Sequence, residues 1–137
     1  METVRYMDFF FKLVIFAGLV IIGFVLIIES QNYQRRKAAG NFTFCLSNCK
    51  NIGQTLKKYS GENNGKYPRR LTDLTPDYLR NIPSCPASGS NRGFIKSYMV
   101  SGDLKSFTFY CKGRHHKNVG VDSNYPQYNS RDDLIPR

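Results

Sequence analysis

The chain has 137 residues, a formal net charge of +10 at pH 7, four cysteines and no tryptophan. Outside one long apolar stretch about a hundred residues remain, which suffices for one small domain and excludes a second. The basic balance predicts attraction to anionic lipid, nucleic acid or another polyanion. Because the lysines and arginines are dispersed and most lack an aromatic neighbour placed for base stacking, a solvated basic surface is the favoured interpretation.

The longest apolar segment is the uncharged run from Leu13 to Ile28. With the three preceding phenylalanines and Lys12 it reaches a length that covers about 30 Å as an α-helix, the thickness of a bilayer's hydrocarbon core. The apolar region of a cleaved signal peptide is usually shorter. We therefore expect a single transmembrane helix over 9–29, preceded by a tail over 1–8 that is too brief to fold. The expected anchor residues are Phe9, Phe10, Phe11, Leu13, Val14 and Ile28.

The orientation of this helix is indicated by two conflicting signals. Arg35, Arg36 and Lys37 follow the span, against Arg5 and Lys12 on the other side, which mildly favours a cytoplasmic C-terminal domain. Four cysteines in that domain favour the opposite side, because disulfides persist in oxidising compartments. We give the cysteines more weight because a family resemblance, given below, implies a domain that faces outward.

Beyond the span, apolar residues recur at helical spacing. The stripe steps by three or four residues, with Lys50, Lys57 and Lys58 off it. Gly40 and Asn41 offer a bend, so the pattern predicts nearly one helix from the membrane to the end of the stripe. The members of the stripe are Cys45, Cys49, Ile52, Leu56 and Tyr59.

The rest of the chain is expected to cover this stripe. Leu71–Leu79 suggests one or two short helical turns. Phe94–Val100 and Ser106–Cys111 alternate enough for two strands joined by a hairpin connection. The tail is rich in loops, with a short strand at Val119–Val121. The pattern thus predicts an α+β fold, in which a long N-terminal helix has a membrane-spanning first half and carries a small antiparallel sheet on its outer half. The domain over 30–137 divides into a helix over 42–60, loops and short helices over 61–92, and the sheet with C-terminal loops over 93–137.

The four cysteines are the most informative chemistry. Cys45 and Cys49 share the inward face of the helix, but side chains four residues apart have Cβ atoms about 5–6 Å apart, too far for a disulfide. We expect each to reach across to the covering layer, where Cys85 lies in a rigid loop and Cys111 ends a strand. This predicts two disulfides, with the pairing left open. A zinc site with four thiolates and free buried thiols are the alternatives, the first disfavoured because Cys85 and Cys111 each lack a close second cysteine.

Several segments resemble a known family. The run GNFTFCLSNCKNIGQTLKKYSGENNGKYPRRLTDLTPDYLRNIPSCP, followed by FTFYCKG and NYPQYNS, resembles the periplasmic domain of type IV pilin-like proteins, in particular major pseudopilins of type II secretion systems. The resemblance covers about residues 32–134. It implies a long helix that lies in the membrane before assembly, a small antiparallel sheet on its outer half and a domain that faces outward.

The N-terminus departs from that family's pattern. Members have a glycine before the cleavage site and then Phe-Thr-Leu-Ile-Glu, whose glutamate pairs with a neighbouring subunit. Alignment through the helix places the phenylalanine at Phe10, so Phe9 replaces the glycine and Val14 the glutamate. Lys12 adds a charge where the family is apolar. This departure predicts an uncleaved, singly anchored protein that has kept the pilin-like domain.

Neither catalysis nor a bound cofactor is expected. The pair His115 and His116 lies on a basic loop flanked by glycine, where adjacent histidines face two directions and are usually solvated. No nucleophile, base and orienting acid can be assembled from a chain with two histidines in one loop. Asp122, Asp132 and Asp133 lie in the tail, where some pseudopilins bind calcium, but their spacing matches no calcium loop. Calcium there stays a minor alternative.

The combined interpretation is a structural subunit of a type II secretion or type IV pilus apparatus, in the bacterial inner membrane with its domain periplasmic or extracellular. Its expected partners are the lipid bilayer and other pilin-like subunits, which it meets through the N-terminal helix; no small-molecule substrate is expected. One alternative is a membrane-tethered module that binds DNA or another polyanion without polymerising. Another is a cytoplasmic-facing zinc or thiol protein.

Overall fold

One long helix and one small antiparallel sheet form most of the regular structure, as the α+β expectation requires. The computed structural model describes the backbone of residues 2–136 and the side chains of residues 7, 9 and 11–136. Helix α1 is Glu2–Glu62. The chain divides into two compact units, Met1–Arg36 and Lys37–Arg137, which we name the N-terminal unit and the head. This layout is consistent with a pilin-like arrangement.

The N-terminal unit is helical from Glu2 onward, so the expectation of an unfolded tail is wrong for residues 2–8. Helix propagation adds one hydrogen bond for each residue fixed, and nothing in the tail breaks it. The stretch from Phe11 is long and apolar enough to cross a membrane. The side chain of Phe10 lies outside the described residues. The other anchor residues, Phe9, Phe11, Leu13, Val14 and Ile28, are all exposed.

In the head, the predicted stripe on α1 is confirmed. Cys45, Cys49, Ile52 and Leu56 are fully buried, and Tyr59 is partly buried against the same core. The three stripe-flanking lysines are exposed. The helix passes through Gly40 and Asn41 and ends at Glu62.

Helix α1 is followed by a glycine in the left-handed backbone conformation. Gly65 has φ 74°, and its N–H donates to the carbonyl of Ser60 at 2.8 Å. A glycine adopts this backbone conformation without steric cost, which is why it commonly follows a helix end. The observed end at Glu62 thus lies two residues beyond the end of the predicted helix over 42–60.

The sheet has four antiparallel strands in sequential order. The strands are β1 Met99–Val100, β2 Phe107–Tyr110, β3 Gln127–Asn129 and β4 Asp133–Ile135. Phe107 lies opposite Val100, Phe109 opposite Tyr128, and Tyr128 in turn opposite Leu134. The predicted strand over Ser106–Cys111 is thus confirmed as β2, whereas β3 and β4 were not expected.

The predicted strand Phe94–Val100 is wrong over most of its length, because Arg92–Ser97 forms the short helix α2. Phe94 and Ser97 are both buried, at the three-residue spacing of a helix face. The Ser97 hydroxyl donates to the Tyr110 carbonyl at 2.6 Å, which ties α2 to β2. The sequence of this segment fits both the period of a strand and the period of a helix, and packing against the sheet makes it helical.

Two shorter predictions met different outcomes. Leu71–Leu74 forms a 3-10 helix and buries both leucines, as the expected short helical turns there suggest. Val119–Val121 is not a strand. The 3-10 helix Lys117–Val119 ends at Gly120, which has φ 78°, so the chain turns where a strand would continue.

Aromatic rings fill the space between the sheet and α1. The ring of Tyr128 lies 6.0 Å from Phe107 and 5.8 Å from Phe109, nearly parallel to both. It also covers Gly53 of α1, where an added Cβ would lie 2.3 Å from the tyrosine ring. Sheet and helix can approach this closely because residue 53 has no side chain.

Candidate metal centre

Three cysteines and one histidine from distant parts of the chain converge inside the head. The Sγ atoms of Cys45, Cys85 and Cys111 and a ring nitrogen of His116 all lie within 4.8 Å of one another. Nε2 of His116 is 3.5 Å from the Cys85 sulfur and 3.9 Å from the Cys111 sulfur. All four residues are at most 3% exposed. We call these four residues the Cys3His cluster.

Cys45 reaches the cluster because it begins the buried stripe of α1. Phe42 lies one turn before it, and the ring of Phe42 packs on the imidazole of His116 with centroids 5.1 Å apart. An aromatic ring at that distance excludes water from one side of the histidine. The helix thus supplies one sulfur and part of the apolar wall.

Cys85 is held by a tight turn. Its N–H donates to the Ser90 carbonyl at 3.0 Å, and its own carbonyl accepts the N–H of Gly89 at 2.8 Å. Gly89 has φ 66°, a backbone conformation that favours glycine. The Ser88 N–H also donates to the Cys85 carbonyl, at 3.1 Å. The same turn brings the N–H groups of Ala87 and Ser88 toward the Cys85 sulfur, which lowers the pKa of its thiol.

Cys111 and His116 lie on one closed loop. Cys111 follows β2 directly, and its N–H donates to the carbonyl of Pro126 at 2.9 Å. The N–H of Gly113 donates to the side chain of Asn124 at 3.0 Å, and the Asn124 N–H returns a bond to the Gly113 carbonyl. This pinned loop folds His116 back over Cys111.

The neighbouring thiols shift the pKa values of Cys85 and Cys45 in opposite directions. Hydrogen bonds from Cys111 and Cys45 lower the pKa of the Cys85 thiol, and the two backbone N–H groups lower it further. Hydrogen bonds with Cys111 and Cys85, together with burial, raise the pKa of Cys45 well above its usual range. Three adjacent buried anions would repel one another, so the three sulfurs cannot all be thiolates without a cation beside them.

Cys49 lies outside the cluster although it is one helical turn from Cys45. Its Sγ is 3.8 Å from the carbonyl oxygen of Pro126, and it is fully buried. Burial raises the pKa of this thiol above its usual range. Cys49 behaves as a small core residue.

The expected pair of disulfides is not found. All four cysteines lie within the described residues, and all four are free thiols. A disulfide needs sulfurs about 2.05 Å apart. Three of the cysteines instead surround a histidine, and the sulfur of Cys49 faces a backbone carbonyl. Cys49 therefore has no cysteine partner, so two disulfides cannot both form. The prediction that both helical cysteines reach Cys85 and Cys111 is correct for Cys45 alone.

The expectation of a solvated histidine loop is half wrong. The two rings do face different directions. His115 is exposed, with Nε2 at 3.1 Å from the Lys112 carbonyl, but His116 is 3% exposed and belongs to the cluster. The sequence signal that could have identified His116 is its spacing. It follows Cys111 by five residues, so it supplies the nearby second ligand that was sought only among the cysteines.

The three tail aspartates form no common site among the described residues. Asp133 pairs with Lys57 and accepts a hydrogen bond from the Tyr128 hydroxyl at 3.1 Å. Asp132 accepts from the side-chain amide of Asn129 at 3.1 Å. Asp122 is exposed and lies apart from them in sequence. The carboxylates of Asp132 and Asp133 thus serve the β3–β4 turn and its contact with α1.

The cluster is built to hold rather than to react. A reactive cysteine is partly exposed so that a substrate can reach its thiolate. Cys85, the sulfur with the lowered pKa, is 1% exposed, and the histidine beside it is equally enclosed. The arrangement offers three sulfur atoms and one ring nitrogen as ligands to an ion small enough to lie between them.

A basic pocket lies on the surface beside α2. Its charged lining is cationic throughout, from Arg92, Lys96 and Lys112, with His115 at one side. All four side chains are exposed, so the pocket is open to a large anionic partner.

The comparisons with known proteins add no family. No family model matches the chain, and neither a curated protein nor a solved structure matches it.

Proposed function

We propose that the chain is a pilin-like structural subunit, or membrane-anchored component, of a type II secretion or type IV pilus apparatus. Its role is assembly and not catalysis. The observation that carries the proposal is the contrast along α1. The same helix exposes an unbroken apolar segment in the N-terminal unit and buries an apolar stripe under a small antiparallel sheet in the head.

The apolar segment supplies the attachment. Side chains such as Phe16, Leu19 and Phe24 are each more than 60% exposed. Leaving that much apolar surface in water is costly, at about 25 cal/mol for each Å². A bilayer removes the cost before assembly, and neighbouring subunits remove it within a filament. The proposed partners are therefore lipid and other pilin-like helices.

The proposed orientation places the head outside the bacterial inner membrane. The resemblance to pseudopilin domains supports this side, whereas the disulfide argument for it falls with the free cysteines. The charges after the span point the other way. The test is proteinase treatment of spheroplasts that carry a C-terminal epitope. Loss of the epitope while a cytosolic marker survives fits the proposal, and protection until lysis assigns the head to the cytoplasm.

Assembly is tested by comparing membranes with the sheared extracellular fraction. We expect the chain to crosslink to pilin-like partners through cysteines introduced at Leu19 or Phe24. The mass of the chain in each fraction reports whether its N-terminus is processed. A chain that crosslinks to nothing and never leaves the membrane would contradict a subunit role.

The basic pocket favours one second candidate, a tethered module that binds DNA or another polyanion. Arg92, Lys96 and Lys112 converge there without an acidic neighbour in the lining. Binding through phosphates weakens steeply with salt, with a slope of about 0.9 for each contact with duplex DNA. Replacing these three residues with alanine should flatten the slope, whereas replacing Lys50 and Lys58 on α1 should not. Binding that is insensitive to salt would remove this candidate.

A further inference from the structure

We propose that Cys45, Cys85, Cys111 and His116 bind one Zn²⁺ ion as a closed, structural site in the head. The inference is independent of the assembly role, since it concerns how the head is held together. It rests on the convergence of four donor atoms that are buried and within 4.8 Å of one another.

The spacing of the donors fits a tetrahedral ion. With Zn–S of about 2.3 Å and Zn–N of about 2.0–2.1 Å, tetrahedral geometry separates two sulfurs by about 3.8 Å and a sulfur from a nitrogen by about 3.5 Å. Nε2 of His116 lies 3.5 Å and 3.9 Å from two of the sulfurs. Only small side-chain adjustments bring the remaining pairs to the same separations.

The donor chemistry selects the metal. Three thiolates and one imidazole are soft ligands that suit zinc, whereas calcium and magnesium take oxygen ligands. All four positions are filled by protein, which is typical of structural zinc and leaves no place for a water or substrate. A divalent cation also offsets the repulsion among three thiolates that the buried site would otherwise not tolerate.

A single disulfide explains the cluster less well. Joining any two of the three sulfurs leaves the third thiol and His116 buried together with no role. A metal uses all four donors and the polar groups around them, since hydrogen bonds to ligand atoms orient them and tune the site.

The site would join three segments of the head. Cys45 lies on α1, Cys85 on the turn before α2, and Cys111 with His116 on the loop after β2. One ion would thereby link the helix, the loop and the sheet. This is the structural role that was expected of the disulfides. The unfolded chain does not hold these four ligands together, so the free energy of metal binding would contribute directly to folding in a domain with a small core.

The main experiment measures metal in the full-length protein, extracted from membranes in detergent without chelator. Elemental analysis should find about one zinc for each chain, as four protein ligands require. Replacement by Co²⁺ should give the intense visible absorption of tetrahedral cobalt with thiolate ligands. Iron or copper at the same stoichiometry, or no bound metal, would overturn the assignment.

Matched variants locate the ion. His116→Ala and Cys85→Ser should lower zinc content and abolish the cobalt spectrum, while His115→Ala and Cys49→Ala should leave both unchanged. His115 is the exposed neighbour of a proposed ligand, and Cys49 is a buried cysteine with its sulfur elsewhere. Equal loss in the Cys49→Ala variant, or retention in the His116→Ala variant, would contradict the proposed ligand set.

A measurement on the unaltered chain covers the case in which ligand variants fail to fold. Intact mass under native conditions should exceed the denatured mass by one zinc less the protons that it displaces. The denatured mass should not change on reduction, because all four cysteines are thiols. A gain of two or four hydrogens on reduction would show one or two disulfides and overturn the proposal.

Discussion

The two units of this chain treat apolar side chains in opposite ways. In the N-terminal unit α1 exposes phenylalanines, leucines and isoleucines on all sides, and in the head the same helix buries a narrow stripe and exposes its lysines. A uniformly apolar helix needs a surrounding apolar medium, whereas a striped helix needs one layer of cover. The head is covered by its own sheet, and the exposure of the N-terminal unit fits the proposal that its partner comes from outside the chain.

The largest contrast should come from truncating one phenylalanine in each unit. Phe109 is fully buried in the head, so Phe109→Ala should lower the free energy of unfolding of the head by about 3–5 kcal/mol. Phe24 is 64% exposed, so Phe24→Ala should leave that value unchanged. Urea unfolding in detergent, followed through tyrosine circular dichroism, gives the free energy of unfolding of both variants. A similar loss from Phe24→Ala would show that the head depends on the N-terminal unit.

A charge in the middle of the apolar segment should sharpen the comparison. Val20→Arg places a cation where the account expects hydrocarbon, at a cost of about 2.5–3.5 kcal/mol for insertion. We expect a reduced fraction of the chain in the membrane, measured by fractionation and blotting. Lys58→Arg, on the exposed face of α1 in the head, is the control and should not alter the distribution.

Gly53 tests the close contact between helix and sheet. An alanine normally favours a helix over glycine by about 1 kcal/mol. At residue 53 the new methyl group would meet the ring of Tyr128, so Gly53→Ala should instead destabilise the head by about 1–3 kcal/mol through overpacking.

Gly40 provides the matched control, because an added Cβ there meets nothing within 4 Å. Gly40→Ala should stabilise α1 slightly. Denaturation midpoints of the two variants should therefore move in opposite directions. Stabilisation by both would mean that Tyr128 does not pack on residue 53.

The smallest effect is expected from the ion pair between α1 and β4. The ammonium of Lys57 holds the pKa of the Asp133 carboxyl below its usual range. The stabilisation that this ion pair gives the head is therefore present at neutral pH. It is lost as pH falls below the ordinary aspartate pKa and through the lowered pKa of Asp133. Asp133→Asn should be slightly less stable than the parent at pH 7, and the difference should vanish in acid. A constant difference across that range would exclude the pair as its cause.

The sequence predicts the parts of the fold whose pattern extends over many residues. The span is apolar without interruption, and the buried stripe on α1 repeats over several turns, which is why both could be located. The segment Phe94–Ser97 is shorter than two turns, and packing on β2 makes it helical. Strands β3 and β4 are three residues each, which is too short for an apolar alternation to show.

The cluster was only partly accessible from sequence. Helical spacing correctly placed Cys45 and Cys49 on the inward face, but spacing does not tell which of two inward sulfurs reaches another segment. Cys85 and Cys111 are brought together by the turn at Gly89 and the loop pinned by Asn124, contacts that no local pattern shows. His116 was recoverable only by treating the two adjacent histidines separately.

The most direct test of the account asks whether the N-terminal unit lies in lipid. Membranes from cells expressing the full-length chain are washed with alkaline carbonate, which strips peripheral proteins, and the pellet and supernatant are blotted. If α1 lies in lipid, the chain stays in the pellet and is released by detergent alone. Release into the carbonate supernatant would contradict it, because the exposed apolar segment of α1 would then need a protein partner in place of the bilayer.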